Sequence, residues 1–274
     1  MKEYTKQVFS LYGRRFYRRE KQAFLESTAK AFAELGYPAA LQRASWLGIE
    51  SWNLILGDLA SARNIVIAPY DTPAARLFSH VKCLSSRALS GIFALLPLLL
   101  YVAACWLIMA CLRLPLFVGE IVLALLLILG YRAVPNTSNF NCTSSGVLLL
   151  YRLASQRPPG TAFVFVDHRD FLSLGRRGFL SSFPVQGRRL FYVDCVGVGD
   201  TLAVRLPPDM EPKSFAGDSV QILPGKGPLI CISACTKTRA GLTISNIMNC
   251  HDDHIDRQTL DAALAYLERL LSLP

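Results

Sequence analysis

Ile65-Val66-Ile67-Ala68-Pro69-Tyr70-Asp71-Thr72 carries the main evidence for the fold. Its first four residues are apolar, and a segment that begins with Pro69 and ends with the polar residues Asp71 and Thr72 follows them directly. A short apolar run of this kind predicts a strand that is buried on both faces. Similar runs occur at 162–166, 190–194 and 229–233, and segments with helical spacing lie between and after them, at 144–155, from 175 and after Asp256. This alternation predicts a three-layer α/β fold with a mixed, mainly parallel sheet and helices on both faces.

The composition limits the class of protein. The 274-residue chain has 29 Lys and Arg against 20 Asp and Glu, a formal net charge of +9. Residues 1–21 carry charges throughout and have no apolar run, so we expect no signal peptide there. The eight cysteines include no CxxC pair. This pattern favours buried, reduced thiols and argues against a disulfide framework.

Two long apolar runs interrupt the α/β pattern. The run at 88–112 has no charged residue, and the run at 114–131 has only Glu120. About 20 apolar residues suffice for a helix to cross the ~30 Å hydrocarbon core of a bilayer, so both runs are long enough. They predict a transmembrane helical hairpin inserted into the domain. The predicted parts are a first domain segment at 1–83, the hairpin at 84–134 and a second domain segment at 135–274.

The charges beside the hairpin predict its orientation. Lys82, Arg87 and Arg132 flank the domain side, whereas Arg113 alone lies at the far tip. Because positive flanks stay in the cytoplasm, we expect a two-span cell-membrane protein with a cytoplasmic domain. Other integral membrane subunits, such as those of a transporter complex, are then the expected partners. Glu120 within a span is a candidate for pairing or function, although near the span's end it can also snorkel.

A basic segment with interleaved aromatic residues lies near the N-terminus. Its arginines are predicted to contact anionic lipid headgroups, because a basic residue near such a surface contributes up to about 1 kcal/mol. A solvated helix face and a nucleic-acid arm are the alternatives, and with a membrane hairpin nucleic acid is the least favoured. The membrane-contacting candidates are Arg14, Arg15, Arg18 and Arg19, together with Glu120.

Five motifs, in order along the chain, resemble those of the di-zinc aminopeptidase family. This family includes bacterial leucyl aminopeptidase, glutamate carboxypeptidase, glutaminyl cyclase and the non-catalytic transferrin receptor. The resemblance implies an aminopeptidase-like fold over both domain segments, with the hairpin in a surface loop. The motifs are 65–72 for "vigaHYDt", 141–147 for "DDNASGV", 165–175 for "FTDGEEWGLLG", 192–197 for "nlDmvG" and 249–261 for "HTpxDtxdnid".

The chain departs from the family at the positions that the resemblance implies for zinc and catalysis. Imidazole and carboxylate ligands hold the two zinc ions, and a glutamate acts as the base. Neutral or cationic residues stand at four of these positions: Pro69 and Asn249 for histidines, Asn141 for the bridging aspartate and Arg169 for the base. Three carboxylates remain: Asp170 and Asp194 take the places of metal carboxylates, and Asp71 takes that of the residue that orients the first histidine. Since arginine cannot accept a proton, the resemblance implies a degenerate site without zinc.

The retained carboxylates need a counter-charge if no metal is bound. We expect Arg169 to supply it by pairing with Asp194 or Asp71, unless its side chain points to solvent. Asp170, Asp194 and Arg169 are therefore the candidate ligand-binding residues, for a peptide or an amino-terminal ligand. If a metal site exists, its candidate ligands are Asp170, Asp194, His168 and His251.

Three functions remain open at this point. The first is a membrane-anchored, catalytically inactive peptidase-like protein, which binds or scaffolds as an accessory subunit and needs no cofactor. The second is an active membrane-bound zinc aminopeptidase with a rebuilt metal site. The third is a structural protein whose domain packs against a partner. Because Arg169 stands at the position of the glutamate base, the first of these functions is favoured.

Overall fold

A computed structural model describes residues 2–46, 49–75, 80–112, 115–132, 135–168, 173–184 and 186–273. Its centre is a ten-stranded sheet in the order β1-β2-β5-β3-β6-β9-β10-β4, with β7 and β8 extending from β9. The strands are β1 Ala39–Trp46, β2 Ile49–Leu56, β3 Asn64–Pro69, β4 His80–Cys83, β5 Thr161–Val166, β6 Arg189–Val193, β7 Thr201–Leu206, β8 Val220–Pro224, β9 Leu229–Thr238 and β10 Gly241–Ile247.

Seven α-helices accompany the sheet in the described residues. They are α1 Lys2–Ser10, α2 Arg18–Glu34, α3 Arg87–Cys111, α4 Leu116–Arg132, α5 Ser145–Ser155, α6 Leu174–Ser182 and α7 Arg257–Ser272. A π-helix at Phe140–Ser144 leads into α5, and a 3-10 helix covers Pro212–Phe215. The helical spacing of residues 1–36 predicts one helix, but the structure has two, because the chain turns between Ser10 and Arg18 and enters the core there.

The sheet is mixed, as predicted, and its parallel pairs lie at the centre and between β7 and β8. Strands β5, β3, β6 and β9 run parallel, whereas β1 with β2 and β9 with β10 are antiparallel. Two residues separate the strands within each of these antiparallel pairs. A link that short allows only antiparallel pairing, since a parallel crossover needs a dozen residues or more.

The central strand β3 separates two apolar layers. Val66 and Ala68 face a large cluster with the helices α2, α5 and α7, whereas Ile65 and Ile67 face a smaller one with α6. All six residues of β3 are buried. Helices on both faces therefore make the three-layer α/β domain that the alternating pattern predicts.

The two apolar runs form helices, α3 and α4, but the predicted membrane spans are wrong. No helix among the described residues is both long enough and apolar enough to cross a bilayer. The 17 residues of α4 extend about 26 Å at 1.5 Å per residue, less than the ~30 Å hydrocarbon core. The transmembrane hairpin, the two-span membrane location and the integral membrane partners all depend on these spans and are corrected with them.

The helices α3 and α4 pack on each other through small and flexible residues. A side chain at Gly119 would meet the sulfur of Met109 at 3.0 Å, so the two helices are close at this point. Many of their larger apolar side chains are exposed, including Leu99, Leu107 and Phe117. Exposed apolar surface of this extent is typical of an interaction site.

Asp256 is the N-cap of α7, as the sequence predicts. Its carboxylate accepts from the backbone N–H of Gln258 at 2.9 Å and from the Thr259 hydroxyl at 2.8 Å. These bonds, that of the hydroxyl first, hold the pKa of Asp256 below its ordinary value. Asp256→Ala is expected to lower the free energy of unfolding at neutral pH by about 1 kcal/mol in urea denaturation.

The pH dependence checks the origin of this effect. A carboxyl whose pKa is lower in the folded state stabilises the fold above its unfolded pKa of about 3.9. The difference between wild type and Asp256→Ala should therefore shrink as the pH falls through the folded pKa. Asp253→Ala is the matched control, because Asp253 lies just before the helix and is exposed. Equal effects of the two variants would refute the capping role.

Candidate functional site

The residues predicted for the site gather where the central strands end. Pro69 is the last residue of β3, Asp71 follows it closely, and Asp194 follows β6 directly. Asn141 lies in the π-helix that leads into α5. Parallel strands place their carboxyl ends at one edge of a sheet, which is where α/β proteins build their sites. The described candidates Asp71, Asn141, Asp194 and Asn249 are all buried there.

Arg15 lies beside Asp71 in the interior and is fully buried. Its Nε donates to the Tyr70 carbonyl oxygen at 2.6 Å, and its Nη2 donates to the hydroxyls of Thr143 and Ser144 at 2.8 and 3.0 Å. Burial lowers the pKa of Arg15 to about 10, and the Asp71 carboxylate acts in the opposite direction. A cation thus stands next to a carboxylate that the family resemblance places at the metal site.

Lys82 pairs with Asp194, the second retained carboxylate. The Nζ of Lys82 donates to Asp194 Oδ2 at 3.1 Å, and the Asp194 carboxylate is buried. The Cys195 thiol lies 3.5 Å from the other carboxylate oxygen. Lys82 reaches this position because β4 pairs with β10. A lysine therefore supplies positive charge at Asp194.

The side chains of Asn141 and Asn249 accept hydrogen bonds from backbone N–H groups. Asn141 Oδ1 accepts from the N–H of Gly197 at 2.8 Å, and Asn249 Oδ1 accepts from the N–H of His251 at 3.1 Å. Asp252, which is buried, accepts from the N–H groups of Asn141 and Cys142 at 2.6 and 3.1 Å. These bonds hold the loops that surround the site in place, so both amide oxygens have partners already.

A second ion pair with a buried carboxylate lies at the end of β5. Lys21 Nζ is 2.5 Å from Asp167 Oδ1, and Asp167 also accepts from the N–H of His168 at 2.8 Å. His168 Nε2 lies 2.8 Å from the carbonyl oxygen of Glu50, so this ring nitrogen is engaged. His168, one of the metal-ligand candidates, therefore has other partners in this structure.

The described donors do not fit the two zinc ions of the family. Pro69 has no donor atom, the Asn141 oxygen accepts from a backbone N–H, and Asp194 is paired with Lys82. His251 is exposed. Within the described ranges, no group of three or more His, Cys, Asp or Glu side chains is placed to hold a metal ion. Arg169 and Asp170 lie outside these ranges, so their predicted roles stay predictions.

The basic N-terminal segment has two kinds of arginine. Arg14 and Arg18 are about half or more exposed, and Arg19 is also exposed, whereas Arg15 is buried. Glu120 is exposed on α4. The predicted place of Glu120 within a span is corrected with the spans. The predicted lipid contact is wrong for the buried Arg15, whereas for the three exposed arginines it stays a prediction. For Arg15 the physical reason is direct, because its guanidinium is sequestered among protein oxygens.

The lysines of these two ion pairs are not among the residues that the sequence predicts for the site. Lys82 flanks the first apolar run, and Lys21 ends the basic N-terminal segment at 12–21. The single available signal is that each lies among residues with apolar neighbours, in Val81-Lys82-Cys83 and Lys21-Gln22-Ala23-Phe24. Such a pattern is too common to identify a buried ion pair.

Comparison with solved structures identifies proteins of similar fold. A glutaminyl cyclase from Tannerella forsythia matches with a TM-score of 0.63 at 15% identity, covering 100% of this chain and 97% of that chain. A Zn-dependent exopeptidase from Parabacteroides distasonis matches at 0.62 with 14% identity, covering 99% and 96%. A leucine aminopeptidase precursor from Bacteroides thetaiotaomicron matches at 0.60 with 17% identity, covering 99% and 95%.

These matches confirm the resemblance at the level of fold. The chain has a mixed α/β fold related to that of Zn-dependent exopeptidases and glutaminyl cyclases. No protein-family model matches the chain, and no curated protein matches it. Identities of 14–17% do not carry an activity over to this chain.

Proposed function

We propose that this protein is a non-catalytic binding protein built on the peptidase-like fold. The observation that carries the proposal is the ion pair between Lys82 and Asp194, at 3.1 Å, at the end of the central strand β6. A metal ion and a lysine compete for the same carboxylate. With the lysine in place, Asp194 has its counter-charge without metal.

The neighbouring pairs support the same function. Arg15 interacts electrostatically with Asp71, and Lys21 pairs with Asp167, so three described carboxylates of this region, counting Asp194, have a cation nearby. Fixed cations offset the repulsion that unpaired buried carboxylates would feel. The solved neighbours are enzymes by name, and this chain differs from what the family requires at Pro69 and Asn141.

The loss of a base also supports a non-catalytic role. In the family resemblance Arg169 stands at the position of the glutamate that takes a proton from the metal-bound water. A guanidinium is always protonated and cannot accept that proton. A site with fixed positive charge and no base binds ligands through charge and hydrogen bonds and leaves their bonds intact.

The zinc content of the purified protein tests this proposal. After incubation with zinc and desalting, elemental mass spectrometry is expected to find less than about a tenth of an equivalent, since no complete ligand set is available. One of the solved Zn-dependent exopeptidases, treated in the same way, is the positive control. One or two equivalents that disappear in Asp194→Asn would refute the proposal and favour a zinc aminopeptidase with a rebuilt site.

A further inference from the structure

A small pocket opens beside Asp194, on the side of the sheet that carries α6. Its volume is about 80 Å³. Six elements contribute to its wall, namely β4, α6, β6, β7, β8 and β9. Its polar lining consists chiefly of Lys82, Arg176, Tyr192, Asp194, Arg205 and Ser233. Three cationic side chains therefore share one small space with one carboxylate.

Both arginines of the pocket are held in place by neighbouring groups. Arg205 Nη2 donates to the Leu84 carbonyl oxygen at 2.9 Å. The Arg176 guanidinium lies 4.8 Å from the centre of the Tyr192 ring and donates to the Ser173 hydroxyl at 3.3 Å. A guanidinium that is already oriented loses little entropy on binding a ligand, which favours affinity.

The charges in the pocket leave an excess of positive charge. Lys82 offsets Asp194, and no described carboxylate forms an ion pair with Arg176 or Arg205. The same three cations act on the Cys231 thiol, because the positive charges of Arg176, Arg205 and Lys82 each favour a lower pKa for this group. Burial outweighs them and raises the pKa of this thiol, which makes Cys231 a poor nucleophile.

We infer that this pocket binds the carboxylate or phosphate group of a small ligand. The inference rests on the proposed non-catalytic function, since Lys82 must stay on Asp194 in place of a metal. Guanidinium groups bind carboxylates and phosphates through paired hydrogen bonds, and two of them face this space. The neutralised Asp194 disfavours the amino-terminal ligand that the sequence suggested. The small volume suits one oxyanion group.

Isothermal titration of the full-length protein tests the inference. Inorganic phosphate and succinate are the two probes, at low and at high salt. We expect at least one of them to bind, with weaker binding at high salt. Arg176→Gln and Arg205→Gln should each reduce the affinity by about tenfold or more, as expected for hydrogen bonds to a charged group. Binding of only one probe identifies the ligand class.

Arg177→Gln is the matched control, because Arg177 lies on the same helix and is exposed away from the pocket lining. It should leave the affinity within about twofold, as screened surface charges do. If neither probe binds, or if Arg177→Gln weakens binding as much as the pocket variants, the inference is overturned. The zinc measurement is independent, so zinc-free protein that binds no oxyanion refutes this inference while the proposed function stands.

Discussion

Replacing Arg15 with methionine is expected to lower the free energy of unfolding by about 3–5 kcal/mol, the range found when one partner of a buried charge pair is removed. Arg15 is the largest fully buried side chain among the described residues. Methionine keeps much of the volume of the side chain but has no donor. The effect therefore comes chiefly from lost hydrogen bonds and lost charge.

The acceptors around Arg15 explain the size of this effect. Its guanidinium donates to the carbonyl oxygens of Tyr70 and Tyr12, and to the hydroxyls of Thr143 and Ser144. These groups come from three segments of the chain, the outermost of which are more than a hundred residues apart. Each acceptor that stays buried without a donor costs about 1–3 kcal/mol, and Asp71 would lose a nearby cation as well.

Arg14→Met provides the matched control. Arg14 is adjacent in sequence but half-exposed, and its ion pair with Glu20 lies at the surface. An exposed pair contributes about 0–1 kcal/mol, so this variant should unfold almost as the wild type does in urea. If Arg15→Met were as stable as Arg14→Met, the buried hydrogen bonds of the Arg15 guanidinium would not stabilise the fold to the expected extent.

Replacing Lys21 with methionine is expected to cost a similar amount, about 3–5 kcal/mol, because it leaves a buried carboxylate without its cation. Asp167 is 1% exposed and its Oδ1 lies 2.5 Å from Lys21 Nζ. The N–H groups of His168 and Trp52 would remain as donors to Asp167, at 2.8 and 3.4 Å. They moderate the loss but supply no full positive charge.

A double-mutant cycle separates the pair from general packing. Lys21→Met combined with Asp167→Asn removes both charges, and should recover part of the loss in the free energy of unfolding. Lys30→Met, on the exposed side of the same helix α2, is the control and should change stability by less than about 0.5 kcal/mol. Additive effects of the two substitutions at the pair would contradict a direct coupling between Lys21 and Asp167.

Local sequence patterns predicted the elements that depend mainly on neighbouring residues in the chain. The run at 65–68 lies in β3, and Asp256 caps α7, because burial and capping each leave a short signal in sequence. The order of the five motifs predicted the related fold. The apolar runs predicted two helices correctly but not their setting, since length and apolarity of a run do not decide whether a helix spans a bilayer.

The candidate site was predicted only in part. The sequence indicated Asp71, Asn141 and Asp194, which the structure brings to one edge of the sheet. Arg169, the predicted counter-charge, lies outside the described residues, so that prediction stays open, and among the described residues Lys82 pairs with Asp194. Lys82 and Asp194 are far apart in the chain, and only the pairing of β4 with β10 brings Lys82 to the site.

The layered α/β fold followed from the alternating pattern of the sequence, and so did the residue types at the motif positions, since a proline has no metal-binding atom and an amide carries no charge wherever they lie. Only the tertiary structure decided which cations accompany the remaining carboxylates, because Arg15, Lys21 and Lys82 are indistinguishable in sequence from the exposed basic residues of this chain. Their burial and pairing arise from contacts between distant segments, and no local pattern encodes such contacts.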